Sequence, residues 1–323
     1  MTVAPYDRNK SLLLIQAVSL AYQQYSAWKK DDHYNGQVND LPLFKSVFND
    51  YRVVKKLQGY SRAKSSTSIY QSNKDLDEKH SYFSYLGFIL SSPTDNIIVF
   101  RGARTPFEIS ETLQYTEVPY LLNSANKGNI EQGVSEMYID IPDTTKEQSL
   151  RTQINAGIKD LEHNKPWYVT GHSLGGAFAI LTALELVVSH HISANNVFMY
   201  NYGGMKVGNS QFATFYNATV PNSYRVVNTK DFVPGLPPQI YKNYRHIGQE
   251  WFFCKDTDTP SDQYAVNGQT YKVYNHLHEV EHQITNQQTS QQKSIQIDPY
   301  YTAVAKRQEQ LRSTTSPTVA PSA

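Results

Sequence analysis

Residues 166–186 constrain this chain more than any other stretch. They read as a short buried strand, a very tight turn at Ser173 and an apolar helix carrying Ala177, Ile180, Ala183 and Leu184 at helical spacing. Gly171, Ser173 and Gly175 have the spacing of a nucleophile elbow. A side chain at 171 or 175 is expected to collide with the neighbouring strand or helix where the backbone reverses, while a serine forced into the bend projects its hydroxyl outward. The helix N-terminus lies against that serine, so its free N–H groups and dipole point where an oxyanion would form. The plainer alternative is a chance match in which Ser173 merely caps a helix. A legible strand before the motif and a legible helix after it favour the elbow.

A chain of 323 residues buries about 75% of its unfolded surface and holds a core without staples. Its 30 basic and 29 acidic residues leave a net charge of +1, which gives no support to a nucleic-acid surface or a polybasic membrane anchor. Cys254 is the single cysteine, so the fold does not depend on an oxidising compartment. Arg8 and Lys10 before the apolar run Leu12 to Ala21 resemble a weak secretory signal, yet positions 14, 18, 21 and 25 continue at helical spacing. An amphipathic first helix is therefore expected, with a cytoplasmic location favoured over secretion. No stretch reaches the roughly 18 apolar residues of a membrane span.

Beyond the first helix, Leu43, Phe44, Val47 and Phe48 dot an apolar segment, and strands are predicted near 51–57 and 82–90. Residues 91–95 suit a hairpin into Ile97, Ile98, Val99 and Phe100, a continuous apolar run typical of a strand covered on both faces. Residues 103–132 resist assignment. Thr144 and Glu147 form a capping box for a helix bearing Leu150, Ile154, Ile158 and Leu161, which leads into the elbow strand. Strands at 197–202 and 224–227, a short helix at 210–216 between them, and a β-like segment ending at 251–253 continue a βαβ progression with a mostly parallel sheet. Residues 1–311 are expected to form one domain, and residues 312–323, rich in Ser, Thr, Pro and Ala, a disordered tail.

Four ordered stretches resemble the class 3 (fungal-type) lipases of the α/β-hydrolase fold. Val99-Phe100-Arg101-Gly102 is similar to that family's oxyanion strand, and Gly171 to Gly176 to its elbow. Tyr202 to Asn209, followed by Phe212, resembles its Phe-Gly-Ser-Pro-x-Val-Gly-Asn segment, departing from it at Gly204 and Met205. Arg225 to Pro234 resembles the stretch that holds its acidic residue. The resemblance runs from the first helix to His276. It implies a mostly parallel central sheet flanked by helices, with a lid-like insertion after the oxyanion strand.

Ester hydrolysis at neutral pH needs a nucleophile, a base to take its proton and a group that orients the base. Ser173 is the nucleophile on the local reading. Asp231, at the end of a strand and just before Pro234, is either a turn-forming aspartate or the triad acid, and position plus resemblance favour the acid. His276, followed by Leu277, resembles the family's catalytic histidine; His282 and then His278 are the competitors. His172 is expected to pack beneath the elbow, His190 and His191 to suit a helix C-terminus, and His246 to be structural. The amide of Leu174 supplies one oxyanion donor, and by resemblance that of Ala103 supplies the other. The family commonly has Ser or Thr at the latter position, and Ala103 lacks that hydroxyl. By resemblance, residues 105–122 form the lid region, and Phe107, Ile109, Leu113 and the 118–122 patch are candidates for acyl-chain and transient lipid-interface contact.

These residues point to a serine carboxylester hydrolase, a lipase on acylglycerols, with no cofactor. Phospholipase A1 and short-chain esterase activity on the same triad stay open. His278-Glu279-Val280-Glu281-His282 also satisfies the His-Glu-x-x-His zinc-peptidase pattern, but no third ligand follows at a familiar spacing. An inert hydrolase-fold binding protein is the remaining alternative, disfavoured by the complete candidate triad.

Overall fold

The computed structural model describes residues 3–31, 33–60, 83–104, 108, 115–139, 148–228, 231, 233–238, 240–241 and 243–253. The first element, α1 (Arg8–Lys30), is capped by the Asp7 carboxylate, which accepts from Lys10 N–H, and it buries Leu14, Ile15, Val18 and Ala21. The run that resembled a leader is thus part of the core. A short helix, α2 (Pro42–Val47), follows and buries Phe44. Next come β1 (Arg52–Tyr60), β2 (Phe83–Ser91) and β3 (Asn96–Phe100), joined as antiparallel neighbours, with the expected hairpin between the last two.

The elbow strand β6 (Trp167–His172) leads into α5 (Leu174–Val188), and beyond it lie β7 (Val197–Tyr202), β9 (Ser223–Asn228) and β11 (Gln249–Phe253). The main sheet has the order β1-β2-β3-β6-β7-β9-β11, and every pairing from β3 to β11 is parallel. Alternation along a strand divides the core into two layers. Ile97 and Val99 face α1 with Tyr200, Tyr202 and Val226, while Ile98 and Phe100 face α5 with Val169 and Met199. Every residue of β3 is buried, as its unbroken apolar run requires.

The stretch that resisted assignment folds as a second sheet. It contains β4 (Glu117–Leu122) and β5 (Ala125–Glu131), then β8 (Gly208–Asn209) and β10 (Tyr244–Arg245), in the order β10-β8-β5-β4. Pro119 is tolerated because β4 is an edge strand. Two further helices, α3 (Gln132–Tyr138) and α4 (Leu150–Ile158), and then α6 (Ser210–Thr219), complete the layers. The cap of α4 is Ser149, whose hydroxyl accepts from Thr152 N–H, so the capping role given to Thr144 is corrected; Thr144 and Glu147 themselves lie outside the described residues. Enclosed between the main sheet and these outer elements, α5 is buried at every residue from Leu174 to Leu186. Glu185, on that helix, accepts from Tyr120 Oη at 2.6 Å and from Arg151 Nε at 3.1 Å, which ties β4 and α4 to it.

The boundary expected at residue 311 and the tail beyond it lie outside the described residues. No helix among the described residues is long and apolar enough to cross a membrane.

Candidate active site

Because β3, β6, β7 and β9 run parallel, their carboxyl ends meet at one edge of the sheet. Residues 101–104 follow β3 there, Ser173 follows β6, and Asp231 lies three positions beyond β9. Crevices outside the carboxyl ends of such strands are where α/β sheets bind their ligands.

Ser173 has φ 53° and ψ −122°, a conformation that side chains other than hydrogen rarely adopt. Its N–H donates to the Tyr202 carbonyl at 3.0 Å, and its own carbonyl accepts from Gly176 N–H at 2.9 Å, so both faces of the bend are held. A β-carbon on Gly171 would lie 2.1 Å from the Gly175 carbonyl oxygen, and one on Gly175 would lie 2.4 Å from the Arg101 carbonyl oxygen. Both steric expectations hold. Ser173 stands at the N-cap position of α5, yet its side chain makes no capping hydrogen bond. The plain helix-cap reading of this serine therefore fails. Leu174, the first residue of α5, has an N–H with no acceptor inside the helix, at the positive end of the dipole.

The segment after β3 is fixed by a buried ion pair. Arg101 donates to both carboxylate oxygens of Glu108, at 3.0 and 2.9 Å, and also to the carbonyls of Tyr85 and Gly102, both at 2.7 Å. Its guanidinium lies 4.3 Å from the centre of the Tyr25 ring. Glu108 in turn accepts from Arg104 N–H at 2.6 Å. Ala103, between Gly102 and Arg104, is half-buried and packs against the core layer beneath α5. From α1, the Tyr22 hydroxyl accepts from Gly102 N–H at 3.0 Å and is hydrogen-bonded to His172 Nδ1 at 2.8 Å. Burial pushes the Tyr22 phenol up to about 12, so it keeps its proton. One hydroxyl thus ties the residue before Ala103 to the residue before Ser173, and His172 packs beneath the elbow as expected.

Of the expected lid region, residues 105–107 and 109–114, with Phe107, Ile109 and Leu113, lie outside the described residues. The 118–122 patch is not lid. It forms β4, with Tyr120 and Leu122 fully buried because alternate residues of an edge strand still turn into the core.

Asp231 is half-buried and accepts from Val233 N–H at 3.0 Å through Oδ1, which opens the turn Val233–Gly235. His246 is structural: burial, with the nearby cations Arg225 and Lys206, pushes it down to about 3. His190 follows the end of α5, where its Nε2 is hydrogen-bonded to Asn155 Oδ1 at 2.9 Å, and burial lowers its pKa. His276, His278 and His282 lie outside the described residues. Among the described residues, no cluster of His, Cys, Asp and Glu is arranged to hold a metal.

Comparison with known proteins gives this edge its context. Residues 97–241 match the family described as lipase (class 3). A lipase of Rhizomucor miehei is 33% identical over 50% of this chain and 42% of its own length. The secreted mono- and diacylglycerol lipase 1 of Fusarium solani is 34% identical over 32% of this chain and 31% of its own length. The chain thus spans less than half the length of these curated relatives. A solved structure described as a serine protease triad forming the catalytic centre of a triacylglycerol lipase superposes with a TM-score of 0.53 at 25% identity, covering 80% of this chain and 83% of that one. The architecture is the α/β-hydrolase fold of the fungal lipases. One expectation is corrected: the cytoplasmic location is overturned by likeness to a lipase whose name records secretion, which points outside the cell. A single cysteine shows only that disulfides are not needed, and a fold without disulfides is compatible with either compartment.

Proposed function

From the membership of residues 97–241 in the class 3 lipase family, we infer that this chain is a serine carboxylester hydrolase acting on acylglycerol esters through an acyl-enzyme. The observation that carries the reading is the backbone of Ser173, held at φ 53° in a strand-to-helix bend with no capping role for its hydroxyl. His276, oriented by the Asp231 carboxylate, deprotonates Ser173, whose oxygen attacks the ester carbonyl. The amides of Leu174 and Ala103 hold the tetrahedral oxyanion, and collapse expels the alcohol, protonated by His276. Water, activated by the same imidazole, then releases the acyl group as the carboxylic acid.

Acylglycerol as substrate is supported by the names of the relatives, a mono- and diacylglycerol lipase and a triacylglycerol lipase among them. Transient contact with a lipid interface is assigned to residues 105–122, where Leu121 on the edge strand β4 is 53% exposed. A chain-length series of p-nitrophenyl esters, run beside emulsified triacylglycerol and phosphatidylcholine, tests the assignment. Turnover of long-chain acylglycerol that disappears in Ser173→Ala is expected. Turnover confined to phosphatidylcholine or to short soluble esters overturns the substrate class.

A further inference from the structure

The carbonyls of three successive residues, 235–237, in the loop that follows Asp231, all accept hydrogen bonds from Lys206: its Nζ donates to Gly235 O at 2.7 Å and to Pro237 O at 2.8 Å, and its backbone N–H donates to Leu236 O at 2.9 Å. Lys206 belongs to the segment that leaves β7, the strand beside the elbow strand, and runs to β8. Next to it, Met205 packs against Val233 and Leu236. At the near end of the loop, Asp231 Oδ1 accepts from Val233 N–H, and Leu236 N–H closes the turn onto Val233 O at 2.9 Å. The carboxylate therefore sits at one end of a short turn whose other end is strapped to the core by one ammonium.

We propose that Lys206 is a positioning residue for the triad acid: through the carbonyls of residues 235–237 it fixes the loop that aims the Asp231 carboxylate at the catalytic imidazole. The inference rests on the assignment of Asp231 above. A carboxylate does not need to move far to fail, since a displacement of about 1 Å from productive geometry costs about 100-fold in turnover. An ammonium suits this task because it offers three donors in a compact head and takes no part in the reaction. Burial beside Arg245 and Arg225 lowers the pKa of Lys206, consistent with an ammonium whose hydration has been exchanged for carbonyl oxygens.

The test compares Lys206→Met, Lys206→Arg and Asp231→Asn in the full chain, on one soluble p-nitrophenyl ester, across a pH series. Lys206→Met is expected to lower kcat by about 100-fold with KM changed less than about threefold. Its acid limb is expected to move to lower pH, because an imidazole that loses its carboxylate neighbour is easier to deprotonate. Lys206→Arg, which keeps a cation with several donors, is expected to recover most of the loss. In the Asp231→Asn background Lys206→Met is expected to add little, since residues acting as one unit are not additive. A Lys206→Met enzyme with unchanged kcat and pH profile overturns the proposal while Asp231→Asn stays inactive. An Asp231→Asn enzyme with near-normal turnover overturns instead the assignment of the triad acid, and the proposal with it. If Lys206→Met gives no cooperative melting transition, Lys206→Gln, which keeps an amide donor, is judged by the same criteria.

Discussion

Gly175 of the elbow helix and Arg101 at the end of the oxyanion strand touch through their main chains: a β-carbon on Gly175 would stand 2.4 Å from the Arg101 carbonyl oxygen. Nothing flexible lies between them, and the Phe100 carbonyl is 2.7 Å from the same point. The spacing between the two candidate oxyanion donors is thus set by backbone against backbone. Gly175→Ala is expected to destabilise the fold by about 2–3 kcal/mol and to reduce turnover more than that loss alone explains. Urea unfolding and kcat, measured at a temperature where the variant is fully folded, check this.

The Arg101–Glu108 pair is buried on both sides, with 0% and 1% side-chain exposure. Removing one partner strands the other without water. Glu108→Leu is expected to cost about 3–5 kcal/mol, whereas Arg101→Leu combined with Glu108→Leu is expected to cost less than the two single changes added together. Denaturant midpoints of the three variants decide it.

Ala103 sits where a hydroxyl side chain is common among the lipases this chain resembles, and it is half-buried against the core. A serine there adds a donor beside the Ala103 amide. Ala103→Ser is expected to raise kcat by about 10-fold or more, because one oxyanion donor is worth roughly 3 kcal/mol at best, with KM little changed. Steady-state kinetics on a soluble ester measure it.

His246 gives a pH signature of the fold. Its folded value of about 3 lies below the roughly 6.5 of an unfolded histidine. Between those values the unfolded chain binds the additional proton, so stability that is present above about pH 6.5 is lost as the pH falls toward the folded value. The slope is at most about 1.4 kcal/mol per pH unit. The melting-temperature gap between wild type and His246→Gln is expected to narrow from about pH 7 to about pH 4. A constant gap contradicts a buried neutral imidazole.

Period and turn chemistry made most of the main sheet readable. Ile97 to Phe100 has no polar break, and β3 is buried on both faces. The second sheet was not readable, and the reason is local. The β4–β5 turn is Asn123-Ser124, with φ 49° and 62°, a geometry whose usual sequence signal is Asn-Gly or Asp-Gly. Serine in the second position hides it, so Val118 to Leu122 passed for a lid patch. The elbow was legible because its glycine–serine spacing is a local pattern between a strand and a helix, and the contact that requires Gly171 is with Gly175, close by in sequence, although the one that requires Gly175 is with Arg101, far away in sequence. Tyr22, Glu108 and Lys206 were not, because each acts on the site through a main-chain group or ion pair that no periodicity reports: Tyr22 is 80 residues from Gly102, and Lys206 is 29 residues from Gly235. The location failed for a different reason, since an amphipathic first helix packed in the core and a single cysteine both bear on folding and not on destination.

Catalysis through an acyl-enzyme requires the hydroxyl of Ser173 to be a nucleophile. Reaction of the folded protein with a fluorophosphonate, followed by peptide mass analysis, tests it most directly. One equivalent of label on Ser173, lost in Ser173→Ala and slowed by about 10³-fold or more in Asp231→Asn, is the result expected. A folded, ester-cleaving protein whose Ser173 stays unlabelled, or whose Ser173→Ala variant still turns over substrate at the wild-type rate, contradicts it.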